Sequence, residues 1–116
     1  MSPKTAAEAD EILARFSRDV AERYGAALAG VYLFGSRARG DFRPESDADV
    51  AVVLKALVAE CRRERRSLND LAYDYLLETG LFIQVLPFDA AEWTAPREDI
   101  DLIEAAKRDA RALWVN

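Results

Sequence analysis

Two apolar runs, Leu28-Ala29-Gly30-Val31-Tyr32-Leu33-Phe34 and Val50-Ala51-Val52-Val53-Leu54, flank Gly35-Ser36-Arg37-Ala38-Arg39-Gly40-Asp41-Phe42-Arg43-Pro44-Glu45-Ser46-Asp47-Ala48-Asp49. Both runs are short and rich in β-branched or aromatic residues, and Gly or turn-forming residues bound them. That pattern reads as buried strands over Leu28–Phe34 and Asp47–Leu54. A parallel crossover needs a dozen or more residues including a helix, and the connection holds only about twelve. The reading is therefore a short helical turn inside an antiparallel pair, which sets the end of the first strand beside the start of the second.

Upstream, Thr5 to Tyr24 predicts a helix. Thr5 and Glu8 have capping-box spacing, in which hydroxyl and carboxylate satisfy each other's orphan backbone donors. Ile12, Phe16, Val20 and Tyr24 fall four apart with Leu13 beside them, and Gly25 is placed to end the helix in a left-handed conformation. Downstream, the pattern predicts a long helix over Ala56–Thr79, a third strand over Leu81–Phe88, a helical turn at Ala90–Trp93 and a final helix over Glu98–Trp114. The expectation is an α/β (α+β) domain spanning 1–116, a small mixed sheet flanked by helices.

Composition narrows the chemistry. The 116 residues contain no His and one Cys, so catalysis through histidine, imidazole metal ligation and an intrachain disulfide are all excluded. Net charge is −5 from 16 basic and 21 acidic residues, which argues against a chain that coats nucleic acid or an anionic membrane. No run is long and apolar enough to span a bilayer and no signal peptide is evident, so the expected location is cytoplasmic.

The polar stretch carries the chemistry. Gly35 lets another group approach the backbone closely, and Ser36 falls at a helix start, where free N–H groups favour phosphate. Arg37 and Arg39 add positive charge. Asp47 and Asp49, two apart at a strand start, leave the same face of the sheet. Two such carboxylates repel unless a cation lies between them, and Mg²⁺ accepts oxygen ligands together with phosphate and water. A phosphate cradle beside a metal-binding pair is the layout of phosphoryl or nucleotidyl transfer. Walker A, dinucleotide-fold and EF-hand patterns fit the residues worse.

Gly35-Ser36, ten residues, then Asp47-Ala48-Asp49 resembles the signature of the minimal nucleotidyltransferases, small members of the DNA polymerase β superfamily. Arg37, Arg39-Gly40-Asp41 and Ser46 match the form usual in that group. The resemblance implies a nucleotidyltransferase core that binds a Mg²⁺–nucleoside triphosphate, ATP by that family's habit, and transfers its NMP to a hydroxyl. It implies nucleotide binding by Gly35, Ser36, Arg37 and Arg39, and metal binding by Asp47 and Asp49. It also implies pairing with a helical HEPN-domain toxin, which the transferase would modify with AMP, with self-association as a further arrangement. Active members usually carry a third carboxylate on a later strand; the corresponding strand here offers Gln84, which orients a hydroxyl but accepts no proton, and Asp89 lies just beyond. The alternative is thus a catalytically weak antitoxin that neutralises its partner by contact, and a third reading is a nucleotide sensor.

Blander readings apply elsewhere. Alone, Asp47-Ala48-Asp49 is ordinary turn chemistry. Arg62-Arg63-Glu64-Arg65-Arg66 reads as a solvated helix face or a dock for an acidic partner rather than a nucleic-acid surface. Tyr32, Tyr73, Tyr75 and Trp93 read as packing residues, Cys61 as a buried thiol, and Trp114 as either core or interface.

Overall fold

The structure is a computed structural model that describes residues 3–55, 58–94 and 107–115, without the side chains of 58, 59 and 61. The chain runs α1 (Ala6–Tyr24), a 3₁₀ turn (Gly25–Ala27), β1 (Leu28–Phe34), α2 (Gly35–Arg39) and β2 (Ala48–Leu54). It continues through α3 (Val58–Thr79), β3 (Ile83–Asp89), α4 (Ala90–Thr94) and β4 (Arg111–Val115). Four strands form one mixed sheet in the order β3-β2-β1-β4. As expected, β1 and β2 are antiparallel across a short helical turn, with Phe34 opposite Asp49. The α3 crossover returns β3 parallel to β2, which pairs Gln84 with Asp49.

Local sequence explains the first helix. The Thr5 hydroxyl accepts from Glu8 N–H and the Glu8 carboxylate accepts from Thr5 N–H, completing the capping box. Leu13, Phe16 and Val20 are fully buried, and each such side chain contributes about 1.5–3 kcal/mol by leaving water. They pack with Leu68, Ala72 and Tyr75 of α3 against Val31, Leu33, Val50, Val52 and Val85 on one face of the sheet. Arg15 with Glu78 and Tyr75 with Asp19 join α1 to α3 at the rim.

Residues alternate in direction along a strand, so Asp49, Ala51 and Val53 leave the opposite face of β2. There Ala51, Val53, Phe88 and Trp93 form a second, smaller cluster, with Tyr32 stacked on Trp93 at 5.2 Å. The helices α1 and α3 thus cover one face, and Asp49 and Gln84 share the other with α4.

The chain departs from expectation at its far end. Of the helix expected over Glu98–Trp114, residues 98–106 lie outside the described residues and 107–109 are helical, but Arg111–Val115 is a strand paired antiparallel with β1. Helix-favouring residues dominate that window, but they compete with pairing to β1, which no local pattern reports. Trp114 packs partly buried against the main core. Tyr75 and Trp93 are buried as expected, whereas Tyr73 is 58 % exposed. Cys61 lies among the side chains that are not described. Among the described residues no helix is long and apolar enough to cross a membrane.

Candidate functional site

The turn from β1 into α2 and the start of β2 meet at one end of the sheet. Gly35 takes a left-handed φ of 73°, and a Cβ there would overlap Oδ2 of Asp49 and lie 3.3 Å from its Cγ. Glycine is needed for both reasons: the backbone conformation disfavours any other L-residue, and a carboxylate already occupies the space. The close approach expected of Gly35 is therefore made by the site's own acid.

Asp49 is half-buried, Asp47 exposed. Burial, reinforced by the negative charge of Asp47, pushes the Asp49 carboxyl above its ordinary value, while Arg39 pulls it back. The arrangement is an acidic pair at close quarters, with Arg39 near Asp49 and Arg37 near Asp47. Two opposed carboxylates supply hard oxygen donors of the kind that Mg²⁺ completes with phosphate oxygens and water. Among the described residues no cluster of three or more Asp, Glu, His or Cys is placed to hold a metal. The donor set therefore suits a cation that arrives with its own oxygen-rich ligand.

Helix α2 has five residues, Gly35–Arg39, so its macrodipole is small and any phosphate there meets local N–H groups and the Ser36 side chain. Among the described residues the Ser36 hydroxyl has no hydrogen-bond partner, while its carbonyl accepts from Gly40 N–H at 2.9 Å.

The two arginines part company. Arg39 is exposed; its Nε donates to Asp41 Oδ2 at 3.1 Å and its Nη1 lies 3.6 Å from Asp109 Oδ2. Both contacts are solvent-accessible ion pairs of the kind that exchange readily. Arg37 is only 6 % exposed. Its Nε donates to Ser46 O at 3.0 Å and its Nη2 to Pro44 O at 3.1 Å, and its guanidinium lies 4.6 Å from the Phe42 ring centre. Burial lowers its pKa, against the charges of Asp10 and Asp47. The sequence suggested a mobile phosphate ligand, and nothing in the residue type marked Arg37 for the interior. The one available hint was Phe42, an aromatic in a polar loop.

Gln84 lies across the β2–β3 ladder from Asp49 and is exposed. It also lines a groove of about 300 Å³ between α3 and β3, together with Arg65, Asn69, Tyr73 and Phe82. Asp89 is spent locally, its Oδ1 accepting from Ala91 N–H at 2.9 Å where α4 begins.

Comparison with known proteins agrees with this layout. A family model described as a nucleotidyltransferase domain matches residues 13–108. A Methanocaldococcus jannaschii protein assigned as a protein adenylyltransferase is 34 % identical over 73 residues, 63 % of this chain and 72 % of that protein. Among solved structures, a toxin–antitoxin crystal structure with AMP-PNP superposes with a TM-score of 0.61 at 17 % identity, covering 89 % of this chain and 73 % of that one. A Sulfolobus solfataricus protein described as a nucleotidyltransferase gives 0.59 at 22 % identity, covering 97 % and 89 %. The Shewanella oneidensis tri-AMPylated HEPN toxin in complex with MNT antitoxin gives 0.56 at 15 % identity, covering 92 % and 73 %.

Proposed function

The chain belongs to the nucleotidyltransferase domain family, and on that premise we propose that it transfers a nucleoside monophosphate, AMP from ATP, to a hydroxyl on a protein. The observation that carries the reading is the placement of the Asp49 carboxylate over Gly35 with Asp47 beside it. One small site would thus combine an acidic pair for a divalent ion with the N–H groups at the start of α2 for phosphate.

In this reading Gly35 N–H and the Ser36 hydroxyl hold the triphosphate, and Arg39 leaves its exposed partners to meet phosphate charge. Asp47 and Asp49 hold Mg²⁺, which when bound neutralises phosphate charge. The acceptor oxygen attacks the α-phosphorus, an O–P bond forms, the bond to the bridging oxygen breaks, and pyrophosphate leaves. Gln84 orients the hydroxyl from the neighbouring strand. An amide takes no proton at neutral pH, so the hydroxyl proton passes to solvent. The acceptor is proposed to be a HEPN-type partner, in keeping with the HEPN toxin complex that shares the fold.

Calorimetric titration with ATP, with and without Mg²⁺, tests the site. Binding should depend on Mg²⁺, and Asp47→Asn plus Asp49→Asn should abolish that dependence. Transfer of label from ATP to a co-expressed partner tests the reaction. Gln84 standing opposite Asp49 also favours a second reading, an antitoxin that neutralises its partner by contact. Neutralisation that survives loss of both aspartates would select it.

A further inference from the structure

We infer that Arg37 is a positioning residue that couples the two halves of the candidate site, an assignment that rests on the function proposed above. Arg37 follows Ser36 in the chain, and its Nε grips the carbonyl of Ser46 at 3.0 Å. That carbonyl belongs to the peptide bond whose nitrogen is Asp47's own. The guanidinium therefore spans from the residue beside the phosphate cradle to the peptide plane from which the first carboxylate departs.

Among the described residues the other hydrogen bonds to the loop's backbone are Ser46 N–H to Arg43 O at 2.9 Å, Lys4 N–H to Pro44 O at 2.7 Å and, closing the Arg43–Ser46 turn, Arg43 N–H to the Ser46 hydroxyl at 2.9 Å. Arg37 Nη2 joins the second of these, donating to Pro44 O at 3.1 Å and lying 3.5 Å from Lys4 O. The segment before α1, the loop and α2 thus converge on one side chain, with Phe42 covering the guanidinium. Its Nη1 is buried with no partner among the described residues. A buried donor left unpaired is costly and rare, and a fork that fixes an otherwise unladdered loop accounts for its retention. A phosphate ligand would be reachable, as Arg39 is. Arg37 is not, so its influence on the nucleotide is exerted through Asp47.

The test is calorimetric ATP binding with and without Mg²⁺ for the wild type, Arg37→Met and Arg37→Lys, with hydrogen exchange across residues 41–48. In the wild type Mg²⁺ should tighten ATP binding about tenfold or more, tenfold being about 1.4 kcal/mol. Arg37→Met should keep its Mg²⁺-free affinity within about twofold, lose most of the Mg²⁺ gain and exchange faster at 41–48, since one lost fork leaves the cradle itself untouched. Arg37→Lys, with a point charge in place of the fork, should fall between, and it carries the test if Arg37→Met does not fold. A Mg²⁺ gain unchanged in the variants overturns the assignment. An equal loss with and without Mg²⁺ also overturns it, because that marks a direct phosphate contact. If the wild type binds no ATP, the proposed function falls, and unchanged exchange at 41–48 would then separately remove the positioning role.

Discussion

The Asp49 carboxylate sits where a side chain at Gly35 would have to go, so no larger residue fits at position 35 without displacing the acid. Gly35→Ala should destabilise the protein by about 1–2 kcal/mol from the left-handed backbone alone. The new methyl should also displace Asp49. The expected result is a lower Tm together with loss of Mg²⁺-dependent ATP binding, read by thermal melts with and without MgATP.

Asp49 yields a pH prediction with a definite sign. Its carboxyl is raised above the ordinary aspartate value by burial and by Asp47, so the folded state holds this proton more readily than the unfolded chain does. Stability from this group therefore falls as pH rises from the unfolded value through the folded one, and recovers on acidification. Asp49→Asn should raise the Tm of the ligand-free protein at pH 7, and the advantage should shrink as pH is lowered into the carboxylate range. Melts of both proteins across that range check it.

At position 84 a carboxylate should help. Gln84→Asp places a proton acceptor opposite Asp49, and a positioned base contributes on the order of 10²–10⁴ in rate. A rise in AMP transfer of about tenfold or more is expected even with imperfect placement, measured as label incorporated per minute. No rise would favour neutralisation by contact.

Arg39 separates binding from stability. Its pairs with Asp41 and Asp109 are exposed, and such pairs are worth about 0–1 kcal/mol. Arg39→Gln should leave Tm nearly unchanged and weaken ATP binding by about tenfold or more, as loss of one charged hydrogen bond of about 1.5–3 kcal/mol does. The deficit should narrow as salt is raised.

What could be read from the sequence was what local chemistry dictates. The Thr5–Glu8 box, the Leu13–Phe16–Val20 stripe and the β1–turn–β2 antiparallel pair each follow from residues close together in the chain. The juxtaposition of Gly35 with Asp49 followed from the same hairpin logic, given only that β1 ends where β2 begins. β4 was hidden because its partner is far away in sequence and its neighbours favour helix. Arg37 was hidden because arginine is almost always exposed, and the carbonyls of Ser46, Pro44 and Lys4 with the Phe42 ring make its burial tolerable. The β4 pairing lies outside any window of neighbouring residues, whereas the Arg37 contacts are close in sequence but rest on backbone carbonyls, which residue type does not mark.

The placement of β4 has a consequence for biosynthesis. Its first residue, Arg111, pairs with Asp10 across 101 positions of sequence, and β4 alone occupies the outer side of β1. During translation β1 can zip onto β2 early, yet its other flank lacks β4 until residues 111–115 have been made. Closing so long a loop is slow relative to local pairing, and a naked strand flank is a template for unwanted neighbours. The nascent chain is thus most vulnerable to aggregation in the interval after the hairpin bearing the acidic pair has formed and before β4 docks on β1.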